Sequence, residues 1–160
     1  MIIPKNNEIY NTMIDIIILI ACALCGFACG KYLEKRIKRK GDFYSDLQRY
    51  ITLLKVNVEG KQVELNEFND EFCKNSSASF SQYVQEGKIR CAFTSSQKSN
   101  VIGFFYNIGC VSSEELIRHI DYYKAVFESD AKKISDEVAK ASIYAKLGIL
   151  LGVMVGIVLI

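Results

Sequence analysis

The sequence predicts an all-α protein: a cytoplasmic antiparallel helical bundle flanked by an N-terminal and a C-terminal transmembrane helix. Three observations carry that expectation. Half of the 160 residues are apolar, and they are concentrated towards the two ends of the chain. Between those ends, apolar side chains recur at steps of three and four, the period that puts them on one side of a helix. The last third, residues 112–160, has no proline at all and no glycine before Gly148, so it reads as one unbroken helical pattern.

Residues 1–12 are polar and hold the only proline, Pro4; they form a short non-cytoplasmic N-terminus. Residues 13–32 make the first transmembrane helix. From 13 to 30 the chain is apolar except for Asp15, and Tyr32 follows, enough for the ~20 residues that a hydrocarbon core requires. A cleavable signal would need a basic leader, and only Lys5 against Glu8 precedes the run. Leu19-Ile20-Ala21-Cys22 has the look of a lipoprotein cleavage box and Cys22-Ala23-Leu24-Cys25 that of a redox motif. Both lie mid-run, away from the exposed electropositive setting that makes a thiolate. The six cysteines are scattered, three of them in this run, and read as reduced thiols acting as small hydrophobes.

Residues 31–40 carry six basic groups and one acid. Positive charge beside a span stays cytoplasmic, so Lys31, Lys35, Arg36, Lys38, Arg39 and Lys40 fix residues 31–146 inside the cell membrane and both chain ends outside. Contact with anionic headgroups accounts for this cluster better than nucleic acid does, since few aromatics interleave it. Net charge is only +2, so whole-chain charge does not predict nucleic-acid binding, and no nucleic-acid partner is expected.

Residues 33–144 are expected to form the bundle. Phe43, Leu47, Tyr50, Ile51, Leu54 and Val58 make one stripe, closed by Gly60. Val63, Leu65, Phe68 and Phe72 make a second, and residues 79–85 a short third ended by Gly87. Val101, Ile102, Phe104, Phe105 and Ile108 lie on a fourth helix over 98–108, stopped by Gly109. Residues 88–93 could extend as a strand, but no second strand is available to pair with it. Ser112 and Glu115 form a capping box that starts the last helix. Its stripe runs through Leu116, Ile120, Tyr123, Phe127, Ala131, Ile134, Val138, Ala141 and Ala145, giving the longest face for the others to pack on. Residues 145–160 make the second transmembrane helix. The wholly apolar run from Leu147 is about 21 Å long, short of a ~30 Å core, and Tyr144 and Lys146 extend it by sitting at the interface.

Small residues recur at steps of four in both spans: Cys22, Gly26 and Gly30 in the first, Gly148, Gly152 and Gly156 in the second. In lipid, where no hydrophobic drive pairs helices, close backbone approach at small residues lets spans associate. The faces would serve pairing within one chain, with a neighbouring subunit, or in a homo-oligomer. Enzyme chemistry is not expected. His119 is the only histidine, so no His-based metal cluster or Ser-His-Asp triad can be assembled, and no glycine-rich phosphate loop is present. No cofactor is expected.

Several strings resemble the stage III sporulation protein AB family of endospore-forming bacteria. Residues 26–39 resemble the end of that family's first span and its basic flank. Phe105-Tyr106-Asn107-Ile108-Gly109 with Ser112, the pair His119-Ile120, and the string Tyr144-Ala145-Lys146-Leu147-Gly148 continuing to Gly152 resemble three further segments. The likeness runs from about residue 16 to the end, without the family's proline turn near Lys61 and Gln62. It implies a reduced relative of the inner-membrane platform proteins of type II secretion and type IV pilus machines, whose cytoplasmic domains are six-helix bundles. It further implies a place in the mother-cell membrane facing the forespore, as a non-enzymatic subunit of a sporulation channel complex beside a secretion-type ATPase. The alternatives are a platform-like subunit of a pilus or secretion system, and a membrane-anchored regulatory or sensor domain with a small-ligand pocket.

Overall fold

The computed structural model describes residues 5–60, 64–108 and 112–159, with side chains from Tyr10 onward. Five helices follow in order: α1 (Lys5–Gly60), α2 (Leu65–Lys74), α3 (Ala78–Glu86), α4 (Ser95–Asn107) and α5 (Ser113–Leu159). No strand occurs among the described residues, and 88–93 is irregular. The fold is all-α, as the sequence predicts. Gly109, Val63, Lys61 and Gln62 lie outside the described residues.

The chain forms two compact units: Met1–Lys35 with Ala139–Ile160, and Arg36–Val138. The sequence placed these divisions near 32 and 144. α1 and α5 each contribute to both units. That continuity departs from the sequence reading in one respect, because the first span and the first bundle helix are a single helix of 56 residues. Gly30 and Gly41 do not break it. A mid-helix glycine costs only about 1 kcal/mol relative to alanine, and residues 31–40 around them are mostly strong helix formers. α1, not the 47-residue α5, is therefore the longest helix.

In the first unit, the apolar parts of α1 and α5 keep most of their surface outside the structure. Only 6% of the apolar window in α1 and 17% of that in α5 is buried. A core helix of a water-soluble protein would be largely buried. Two helices long and apolar enough to span a bilayer, with Ile17, Leu24, Leu151 and Ile157 exposed on their flanks, fit a membrane protein.

The second unit is built on aromatic burial. α1 supplies Phe43, Tyr44, Leu47, Tyr50, Ile51 and Leu54, all essentially inaccessible. Against them pack Phe72 of α2, Phe80 and Tyr83 of α3, Val101 and Phe104 of α4, and Leu116, Ile120 and Phe127 of α5. Phe43 meets Phe80 at 5.3 Å and Phe93 at 5.0 Å between ring centroids, and Tyr50 meets Phe72 edge-on at 5.2 Å. Tilted and edge-on pairs of this kind add to the area term. The unit comprises five helical segments among the described residues, where the resemblance implies six.

The connections are set locally. α3 ends at Gly87, whose φ of 67° is the left-handed conformation glycine adopts without penalty, and its amide donates to the Tyr83 carbonyl. α4 begins three residues earlier than the stripe suggests. Thr94 accepts from the Gln97 amide while the Gln97 side chain accepts from the Thr94 amide. The same reciprocal pair, Ser112 with Glu115, starts α5.

Candidate functional site

The glycine faces meet one another within the chain. A Cβ added to Gly26 would collide with the Gly148 carbonyl and come within 3.0 Å of Gly152 Cα. One on Gly30 would lie 2.8 Å from Ala145 Cα, and one on Gly152 would lie 3.1 Å from Ala23 Cα and against the Cys22 carbonyl. Gly156 packs on Leu19 and Cys22. Backbone therefore touches backbone at Gly26, Gly30, Gly148 and Gly152, where an added Cβ would collide, while Gly156 is less tightly held. Ala145 and Ala141, both buried, carry the same face one and two turns before Gly148 on α5.

The six basic residues separate into different environments. Lys35, Arg36 and Arg39 are exposed. Lys31 pairs with Glu34 at 2.8 Å. Lys40 departs from the surface role expected of it: it is only 6% exposed, and its Nζ lies 2.9 Å from Glu137 of α5. The physical reason is register. Lys40 sits one turn before Phe43 and Tyr44 and two before Leu47, on the buried stripe of α1, so its ammonium is turned towards α5 instead of the headgroups.

Polar groups of the bundle are engaged in structural bonds. Arg49 of α1 donates to the Asn75 carbonyl at the end of α2 at 2.7 Å, and its guanidinium lies over the Phe72 ring at 4.7 Å. One turn earlier, Asp46 accepts from the Ser77 amide at the start of α3 at 2.6 Å. The two side chains clamp the junction between α2 and α3, satisfying groups that helix ends leave open. Tyr50 donates to Asn69 at 2.6 Å and Lys55 pairs with Asp121 at 2.6 Å. His119, half-buried, stacks on Phe104 and holds its Nε2 3.0 Å from the Phe104 carbonyl. A carbonyl only accepts, so Nε2 carries the proton. The packing role expected for this histidine is the one it has.

Phenols and thiols packed into the bundle are held in their neutral forms. Burial pushes the phenols of Tyr44, Tyr50 and Tyr83 above their ordinary range, and Asp130 raises Tyr44 further. Burial likewise raises the thiols of Cys73 and Cys91, away from the thiolate that a nucleophile requires. Among the described residues, no three acidic, thiol or imidazole groups converge as a metal site.

A cleft of about 700 Å³ lies open between α1 and α2. Leu53, Val56, Phe68 and Phe72 form its apolar floor, and Arg49 and Glu71 stand on its rim. Sequence stripes pointed only at buried faces, so this one was not anticipated. Its signal was the spacing of Arg49, Leu53 and Val56 on a second side of α1.

The family model for stage III sporulation protein AB matches residues 65–160, more than half of the chain. The chain belongs to this family. No curated protein and no solved structure matches it. The family match covers α2 to α5, including His119-Ile120 and the Gly148, Gly152 and Gly156 face, and makes this a sporulation-related protein. In stage III sporulation protein AB terms, α2 to α5 and the α5 side of the seam fall inside the match, and α1, with its share of the bundle core, lies outside it.

Proposed function

We propose that this chain is a non-enzymatic platform subunit of a transenvelope channel complex between mother cell and forespore. It crosses the mother-cell membrane twice, keeps residues 36–138 in the cytoplasm, and offers that bundle to a secretion-type ATPase. The observation that carries the reading is family membership, and it is supported by a bundle in which, among the described residues, every buried side-chain nitrogen and oxygen has a hydrogen-bond partner. Basic charge at Lys35, Arg36 and Arg39 supports the inward orientation.

The test is in two arms. A reporter active only outside the cytoplasm is expected to be active when fused after Ile160 and silent when placed at Asn75. The tagged full chain, cross-linked and purified from sporulating cells, is expected to bring down a secretion-type ATPase. The opposite reporter pattern, or recovery of pilus or secretion components in its place, overturns the assignment.

A further inference from the structure

We propose that the cleft between α1 and α2 is a docking groove for a basic amphipathic helix of a partner protein. The recognition lies in the groove's own side chains, so it stands or falls independently of the platform assignment.

The floor is apolar where nothing in the fold requires it. Leu53 is 44% exposed and Val56 52% exposed, yet both border a cleft floored by the rings of Phe68 and Phe72. Its volume, about 700 Å³, is in the range of binding clefts, roughly 300–1,000 Å³. Arg49, Leu53 and Val56 recur at helical spacing along α1, and Phe68 and Phe72 do so along α2. Two helices lying side by side with apolar rails form the seat that a third amphipathic helix fills through residues at i, i+3, i+4 and i+7.

Charge selects the occupant. Glu64, Glu67 and Glu71 are exposed, follow one another at steps of three and four, and run along one edge of α2, with Glu71 in the cleft itself. Among the described residues, α2 sets one cation, Lys74, against Glu64, Glu67 and Glu71, and the cations of α1 beside the cleft are paired. Arg49 is held by the Asn75 carbonyl, Asp46 and the Phe72 ring, and Lys55 is held by Asp121. With Arg49 paired to Asp46, the α2 edge of the cleft, along Glu64, Glu67 and Glu71, is the acidic one beside an apolar floor. An acidic helix would meet like charge on arrival; lysines or arginines flanking an apolar stripe meet their complement.

The full-length protein in zwitterionic nanodiscs provides the test. Two labelled synthetic helices share one leucine stripe, flanked in one by lysines and in the other by glutamates. Anisotropy titration is expected to show the lysine helix binding at least about tenfold tighter. Leu53→Asp and Val56→Asp should each weaken that binding about tenfold. Tyr106→Asp, at an exposed aromatic of α4, should not. The double variant Glu67→Lys, Glu71→Lys should reverse the preference, so that the glutamate helix binds better. Should either aspartate variant lose its helical circular dichroism, the reversal at the two exposed glutamates decides alone. Equal binding of both helices, or a preference unchanged by the double reversal, overturns the proposal and reduces the cleft to non-specific apolar surface.

Discussion

The two units of this protein are held together by opposite means. Along the seam of the first, contact is made by what is missing: Gly26, Gly30, Gly148 and Gly152 bring backbone against backbone. In the second, contact is made by bulk, with Phe43, Tyr44, Tyr50, Phe80, Phe104 and Phe127 filling the interior. The contrast follows from solvent. Water makes each buried ring worth a few kcal/mol, so large side chains hold a bundle together. Lipid is as apolar as leucine, so helices gain only from close van der Waals fit, which small residues permit. One continuous helix, α1, uses the glycine device before residue 36 and the aromatic device after it.

The comparison breaks most visibly at a ring. Phe127 is fully buried among Tyr44, Phe104 and Tyr123. Phe127→Ala should cost about 3–5 kcal/mol, seen as a lower melting temperature of the bundle, while Lys132→Ala at an exposed site should barely change it. Equal effects would mean that aromatic bulk is not what holds the second unit.

Alkaline pH should separate the units next. Phenols raised by burial favour the protonated form in the folded state. Stability from Tyr44 and Tyr50 is therefore fully present below about pH 10, the unfolded value, and is lost as pH rises towards the higher folded values. Bundle melting followed from pH 8 upward should fall above about pH 10, and Tyr44→Phe with Tyr50→Phe should blunt the fall.

A smaller effect is expected at the ion pair. Glu137→Ala leaves the buried Lys40 ammonium without its partner and should cost about 1–3 kcal/mol. The half-exposed glutamate keeps the figure below that of a wholly buried pair. Lys40→Met removes the buried charge itself and should cost less. If Lys40→Met is the more damaging change, the pair stabilises the fold by more than its desolvation costs.

Much of this was legible in the sequence, for reasons that differ by site. Every residue of the α5 stripe, from Leu116 to Ala145, is buried or half-buried, because helical period and burial are the same physical fact on a helix that packs along one face. The residues that line the glycine seam were legible from composition in an apolar run, but not their partners. Steps of four identify a face, and only three dimensions say which face it meets. Tyr44 and Lys40 were missed because polarity was read by residue type. Both lie on the stripe of Phe43 and Leu47, where tyrosine and lysine can bury their stems and rings. The unbroken course of α1 through residues 31–42 was missed because charge there suggested a boundary, although charge sets solvent contact and not backbone conformation. The α1–α2 cleft showed in the sequence only as the spacing of Arg49, Leu53 and Val56 on a second side of α1, and a stripe alone does not say whether it is covered or open.

The central claim is that the two apolar helices pair within one chain along their small faces. A Cβ at Gly156 would stand 3.4 Å from the Cβ of Cys22, close to the ~3.5–4.5 Å separation found across disulfides. With the other cysteines replaced by serine, Gly156→Cys in native membranes should join Cys22 on mild oxidation. The product should be an intramolecular bridge that leaves the protein monomeric in non-reducing electrophoresis and blocks both thiols to alkylation. Val155→Cys, one step round the helix, should stay alkylatable. A Gly156→Cys protein that yields only cross-linked dimers, or whose thiols both remain free, would contradict the account.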